Sequence, residues 1–383
     1  MRRRLYVLAL VTVGCLTGAG VAGAQETALP LDLTSILEPI RDKHGLPALG
    51  GCVLLDGKVV GLAVTGFRRA GDPTPATAAD RFHLGSCTKA MTATLIARLV
   101  EAGKLHWEDT LADLFPRLRT SMHPLFRPVT LEQLLHHRGG LPERSWPADM
   151  SLAELHRLAG TLPEQRLFFI RKMLAEKPET KPGAAYVYSN AGYVVAGAAA
   201  EAVTGRSWEE LITDYVFHPL GMSHAGFGAM GTPGRVDEPW QHEWRDGRAV
   251  PVAPGPHSDN PLLLGPAGTV HCPLGDWARF VQAHLDGARG ESTFLSAASF
   301  QKLHVPPAGN GYYVMGWMEV ERDWGRGKVY THAGSNVRNW AVVWMAPARN
   351  LAVMVTANVG GNDVYAVIDR AVGELISAAV GLK

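Results

Sequence analysis

The stretch Trp340-Ala341-Val342-Val343-Trp344-Met345-Ala346-Pro347, followed by Ala348-Arg349-Asn350 and then Leu351-Ala352-Val353-Met354-Val355-Thr356-Ala357, reads as two strands joined by a short turn. Both runs are rich in β-branched and aromatic residues, which pack well on a pleated surface, and so short a break allows only an antiparallel return. Residues 328–332 and 311–320 before them have the same character, and a helical pattern follows to the end of the chain. At the other end, 51–55 and 59–65 are apolar runs separated by Asp56-Gly57, a hairpin signal, and a helix-like stretch over 31–43 stops at Gly45. The middle carries helix-like segments at 131–137, 152–158, 167–176, 191–204, 208–217 and 274–285, punctuated by Pro and Gly. Residues 231–261, rich in Pro, Gly, Trp and charge without a period, read as a long loop that either walls a site or lies idle on the surface. Strands at both ends around a helical middle predict an α+β fold. Its antiparallel sheet, flanked by N- and C-terminal helices, occupies 25–110 and 288–383, and a mostly helical insertion domain occupies 111–287.

The chain of 383 residues is long enough to bury a large core, and its 37 Lys and Arg nearly cancel its 36 Asp and Glu. Beyond Arg2-Arg3-Arg4 there is no basic run, so the footprint of a nucleic-acid binder is missing and a small-molecule substrate of little charge is expected. Those arginines, the apolar stretch 5–21 and Ala22-Gly23-Ala24 form the pattern of a secretory signal over 1–24. The expectation is export to the periplasm or medium, with no membrane span kept after cleavage; 34 cations would then face 36 anions. Cys52, Cys87 and Cys272 have no CxxC spacing and suit neither a disulfide framework nor a zinc knuckle. They read as buried small residues. Neither HExxH nor an HxHxD cluster is present, and no Gly-x-Ser-x-Gly elbow, so no metal or cofactor is expected.

Residues 86–102 contain no Gly or Pro, and Met91, Leu95, Ile96, Leu99 and Val100 recur at helical spacing before Gly103. Ser86 therefore begins a helix, and Ser86 and Lys89 share one face of it. A serine attacks poorly without a neighbouring base. Lys89 serves as that base where its surroundings favour the neutral amine; a charged Lys89 would instead hold another base in its anionic form. The spacing alone is ambiguous, because Ser299-Phe300-Gln301-Lys302 repeats it. The second element is Tyr188-Ser189-Asn190. Tyr188 is a candidate phenolate base if a cation lowers its pKa, and Asn190 offers a carbonyl and an amide, although the same residues suit a turn before the helix at Ala191. The third is His332-Ala333-Gly334-Ser335 at a strand end, whose small residues allow close approach to the backbone. HxG also occurs at His137-Arg138-Gly139 and His224-Ala225-Gly226. Order singles out Ser86, since no Tyr-x-Asn follows Ser299.

With these ordered motifs the sequence resembles the penicillin-recognising serine hydrolases, particularly the class C β-lactamase branch with family VIII esterases and D-amino-acid peptidases. The resemblance runs from about Leu33 to the C-terminus. It includes Phe82-His83-Leu84-Gly85, the run from Leu134 through His136-His137-Arg138-Gly139-Gly140 to Pro142, Pro182-Gly183, Pro219-Leu220-Gly221-Met222 and Pro266-Ala267-Gly268. It implies that Ser86 is the nucleophile, Lys89 and Tyr188 the base system, and Asn190 a contact to Lys89 and the acyl side chain. It also implies an oxyanion hole from the N–H groups of Ser86 and Ser335, with His332 and Gly334 on the substrate side. One departure bears on substrate choice: β-lactamases of this kind have lysine and a hydroxyl residue where His332 and Ala333 stand. A neutral imidazole holds a carboxylate weakly, and Arg338, six residues on, is either a replacement for the missing cation or a solvated loop arginine. The implied activity is an exported serine hydrolase acting on esters or on D-amino-acid amides and peptides. β-Lactamase or D,D-carboxypeptidase activity is the alternative, and a non-turnover penicillin-binding sensor the reading of a different class.

Overall fold

The computed structural model describes residues 29–306 and 312–382. The expected secretory signal, residues 1–24, lies outside the described residues. In chain order the elements that place the site are α1 (Thr34–His44), β1 (Ala48–Leu55), β2 (Lys58–Gly66), α2 (Thr88–Glu101), α3 (Asn190–Thr204), β3 (Gln241–Arg245), β4 (Arg248–Val252), α4 (Leu274–Ala288), α5 (Ala297–His304), β5 (Tyr313–Val314), β6 (Trp317–Arg322), β7 (Gly327–Ser335), β8 (Trp340–Ala346), β9 (Leu351–Ala357) and α6 (Asn362–Gly381).

Every residue of β1 and β9 is buried, because both faces of the sheet are covered. Leu49, Val53 and Leu55 face a core shared with Leu37, Ile368 and Leu375 of α1 and α6. Cys52 and Leu54, on the alternate positions, face a second core that contains Leu274, Trp277 and Phe280 of α4. Two adjacent glycines make this possible: a Cβ on Gly51 would lie 2.8 Å from Leu375 Cδ1, and one on Gly50 would lie 2.9 Å from Leu274 Cδ1. The seven strands are antiparallel and run β2-β1-β9-β8-β7-β6-β5, so the N-terminal hairpin is sewn to the C-terminal strands through Leu49↔Ala357 and Leu55↔Leu351. The turns are those the sequence signals: Asp56 and Gly57 have φ of 51° and 76°, and Asn350, after the turn Pro347–Arg349, has φ 48°.

The two regions share one core. α2 is buried along nearly its whole length, wedged between the sheet, α3 and the segment Gly265–Gly268. A Cβ on Gly197 of α3 would meet Pro266 at 2.3 Å, which seats that segment against α3. Arg166, fully buried, donates to Glu201 and Glu209 and to Leu263 O (3.0 Å), and so pins the same stretch from the other side. One expectation is corrected. Residues 231–261 are not structureless, since β3 and β4 pair there as a hairpin with Gln241↔Val252. The helix at Trp208–Ile212 continues as a π-type turn, Thr213–Phe217. α4 packs on the sheet. Cys52, Cys87 and Cys272 are free and buried.

Candidate active site

Ser86 stands in a single 3₁₀ turn, Gly85–Cys87, and the α-helix begins at Thr88, two residues later than the sequence suggests. Gly85 has φ 51°, which glycine adopts without strain. Close approach requires glycine twice here. A Cβ on Gly85 would lie 2.4 Å from Ser335 N, and one on Gly334 would lie 2.0 Å from Leu84 O and 2.7 Å from Ser86 N. The end of β7 is thereby laid against the serine turn, bringing the first and third motifs together.

Lys89 is fully buried and its Nζ has three oxygen neighbours: Asn190 Oδ1 at 2.7 Å, Ala267 O at 2.7 Å and Ser86 Oγ at 2.9 Å. None is a carboxylate. Burial therefore pulls its pKa well below the ordinary lysine value. Tyr188 donates from its hydroxyl to Ser86 Oγ at 2.7 Å, and Asn190, the first residue of α3, donates from Nδ2 to Ser145 Oγ at 2.8 Å. The phenolate expected of Tyr188 is not favoured: burial pushes its phenol above the ordinary value despite the bond to Ser86. The rejected HxG at His137 has a different task. Its ring lies 4.4 Å from that of Tyr188, centroid to centroid, and its Nδ1 accepts the Ser189 N–H at 3.0 Å, bracing the Tyr188–Asn190 segment from beneath.

His332 and Arg338 are both held by protein partners. The His332 ring is buried, bonded to Tyr313 OH (3.2 Å) and to Ala333 O (2.7 Å), and burial pushes it down to about 3, so the imidazole is neutral. Arg338 is neither solvated nor aimed at the serine; it donates to Glu243 Oε1 (2.9 Å) and to Ser258 O (2.8 Å). A cavity of about 250 Å³ opens beside Ser86, with Asn190, Ser145, Asn260 and Ser335 as its polar wall and Trp146, Leu152, Leu264 and Val337 as its apolar wall. Among the described residues no charged side chain lines it. A larger groove of about 770 Å³, between the β1–β2 hairpin and α4, contains none of these residues.

Ser299 and Lys302 are brought to nothing comparable. Ser299 Oγ donates to Glu101 Oε1 (2.7 Å), and Lys302 pairs with Glu132 (2.7 Å). Sequence reasoning missed Ser145 and the Ala267 carbonyl as partners of the site. Ser145 sits in a loop with no periodic signal, whereas Pro266-Ala267-Gly268 was visible as a motif whose backbone role was not. Among the described residues no His, Cys, Asp and Glu cluster could hold a metal ion.

The family model described as Beta-lactamase matches residues 33–377. Penicillin-binding protein 4 of Amycolatopsis lactamdurans is 27% identical over 332 residues, covering 84% of this chain and 84% of that protein. Unguisins hydrolase ungD of Aspergillus violaceofuscus is 28% identical over 329 residues, or 76% of this chain and 56% of that one. The octameric penicillin-binding protein homologue from Pyrococcus abyssi superposes with a TM-score of 0.70 at 22% identity, over 90% of this chain and 77% of that chain. With the match running through all three motifs and almost the whole described fold, the chain belongs to the Beta-lactamase family of serine hydrolases and penicillin-binding proteins.

Proposed function

We propose that the chain is an exported serine hydrolase that forms an acyl-enzyme on Ser86 and hydrolyses esters or D-amino-acid amides and peptides. The surroundings of Lys89 Nζ carry this reading. A neutral amine has two N–H bonds and one lone pair; the carbonyls of Asn190 and Ala267 take the two N–H bonds, and the lone pair faces Ser86 Oγ. Lys89 then accepts the Ser86 proton as Oγ adds to the substrate carbonyl. The resulting oxyanion is held by the N–H groups of Ser86 and Ser335. Collapse breaks the bond to the alcohol or amine, which leaves with a proton passed from Lys89 through the protonated Tyr188. Water, deprotonated by the same route, adds to the acyl-Ser86 ester, releasing the acid and restoring the serine.

The uncharged cavity, the neutral His332 and the engaged Arg338 favour a substrate with no carboxylate next to the scissile bond. Efficient β-lactamase or D,D-carboxypeptidase action, which must hold a carboxylate, is accordingly the lesser reading. Relatives named as an unguisins hydrolase and as a putative D-alanyl-D-alanine carboxypeptidase support bond cleavage over silent binding. Export rests on the pattern of residues 1–24; among the described residues no helix is long and apolar enough to cross a membrane. Hydrolysis of p-nitrophenyl butyrate, D-alanyl amides and nitrocefin by wild type and Ser86→Ala tests the proposal. The first two should be cleaved faster than nitrocefin, and all by wild type alone; equal ester hydrolysis by the two proteins contradicts it.

A further inference from the structure

Beneath the nucleophile turn lies a buried polar network that the acyl chemistry does not use. His83 is wholly buried, and its Nδ1 accepts the Gly85 N–H at 3.0 Å. That bond leaves the imidazole proton on Nε2, which donates to Asp259 Oδ2 at 2.8 Å. The other carboxylate oxygen accepts the Asn336 side-chain amide at 2.6 Å and the Asn260 N–H at 2.8 Å. Asn336 directly follows Ser335, whose hydroxyl donates to Asn339 O at 2.7 Å, and the amides of Asn336 and Asn339 both donate to Gln241 Oε1. One carboxylate thus joins the turn that carries Ser86, the strand end that carries Ser335 and the cavity-wall residue Asn260. Burial opposes the Asp259 charge, but His83, Asn336 and Asn260 outweigh it and hold the carboxyl below its usual range. Burying a carboxylate in this way adds little to stability alone, since well-packed apolar residues of equal volume often do as well. Its position supplies another reason for it: the strand end that offers one N–H to the oxyanion is bonded to it through Asn336, and the turn that offers the other is linked to it through His83.

We propose that Asp259 is a positioning residue: acting through His83 and Asn336, it holds the Ser86 turn and the Ser335 strand end in register so that their two N–H groups converge on the oxyanion. The inference rests on the acyl-enzyme reading of Ser86. Asp259→Asn keeps the shape and an acceptor for His83, but sets a second N–H donor against the donors that the carboxylate satisfied. Its kcat and KM are measured on p-nitrophenyl butyrate and on the matching thionoester, per site titrated with a fluorophosphonate. Sulfur draws little from an oxyanion hole, so the two substrates report the hole separately from the rest of the site. Outright loss of one donor costs about 10²–10³ in kcat; a displaced pair should cost about 10–100-fold, with KM moving less than about threefold. The oxo-to-thiono rate ratio should fall with kcat. Asn336→Ala, which cuts the link to the strand end without adding a donor, should shift the ratio in the same direction and by less. The exchange Asp259→Asn with Asn336→Asp restores a donor facing an acceptor and should recover part of the ratio. If the variants merely unfold, the melting temperature drops while kcat per titrated site and the ratio stay at wild-type values; that result overturns the proposal, as does an unchanged ratio in a stable Asn336→Ala. Ser86→Ala keeps the two failures apart. If it stays active, the acyl-enzyme reading itself falls; if it is dead while Asp259→Asn keeps its ratio, only the positioning role does.

Discussion

Ser86-x-x-Lys89 and Ser299-x-x-Lys302 present the same two side chains at the same spacing near the start of a helix, yet their surroundings give them unrelated chemistry. The first lysine is fully buried and meets two carbonyls and a serine. The second reaches the surface and meets Glu132. Ser86 sits in a 3₁₀ turn pressed against a glycine strand end, whereas Ser299 lies in the first turn of α5 with its hydroxyl spent on Glu101. A spacing fixes which side chains are neighbours on a helix. Burial, and whether the partner is a carbonyl or a carboxylate, decides whether the lysine is a base or a counter-ion.

The largest effect should separate the serines outright. Ser86→Ala removes the nucleophile and is expected to lower kcat/KM for p-nitrophenyl butyrate by at least about 10⁴-fold with the fold intact by circular dichroism, on the scale of nucleophile deletions in other serine hydrolases. Ser299→Ala should leave kcat/KM unchanged and cost about 1 kcal/mol in urea unfolding, the size of a lost helix-end hydrogen bond. An activity loss in Ser299→Ala breaks the comparison.

The lysines should differ nearly as much. Lys89→Met fills the same volume without a base and should lower kcat by about 10²–10⁴-fold, while Lys302→Met, losing a partly exposed ion pair, should cost less than about 1 kcal/mol and no activity. Tyr188→Phe comes next, at about 10²-fold in kcat, because it removes a proton relay but leaves the amine facing Ser86.

A pH series sharpens the contrast in the other direction. Lys89 works as a base only when neutral, and burial lowers its pKa, so kcat/KM should rise with pH through that depressed value and be level well below the range of an ordinary lysine. A rise that appears only near the ordinary 10.5 contradicts the neutral amine. The Ser299 region has its own sensitivity. His284 of α4 and His304 of α5, both buried, share a 3.0 Å bond; burial lowers both, His304 from 6.5 to about 3. The folded chain keeps them neutral where the unfolded chain binds protons, so stability falls as pH drops from about 6.5 towards 3, by up to about 1.4 kcal/mol per unit for each histidine. Urea unfolding at pH 7 and pH 5 should show the loss, and His304→Phe should reduce it.

The sheet was largely legible in the sequence because its strands carry their own signals: Asp56-Gly57 and Asn350 mark the turns, and runs such as 351–357 are apolar but for Thr356 because both faces are covered. The hairpin in 231–261 was not legible. It is short and half exposed, and Pro251 and the charges of Glu243, Arg245 and Arg248 obscure its alternation. At the site, side chains that meet across helices were found through motif order, whereas contacts made by backbone, such as Ala267 O and the Gly334 approach, leave no mark beyond a small residue. The surroundings of His332 and Arg338 were not legible for a related reason. Sequence shows that a titratable group stands near a strand end; only packing shows that one ring turns to Tyr313 and one guanidinium to Glu243.

Peptide mapping by mass spectrometry after a brief exposure to a fluorophosphonate tests the central claim most directly, because both serines are then scored in one sample. The account predicts one stoichiometric adduct on the peptide bearing Ser86, none on the peptide bearing Ser299, and no adduct at all in Ser86→Ala. Labelling at Ser299, or an undiminished adduct in Ser86→Ala, would contradict it.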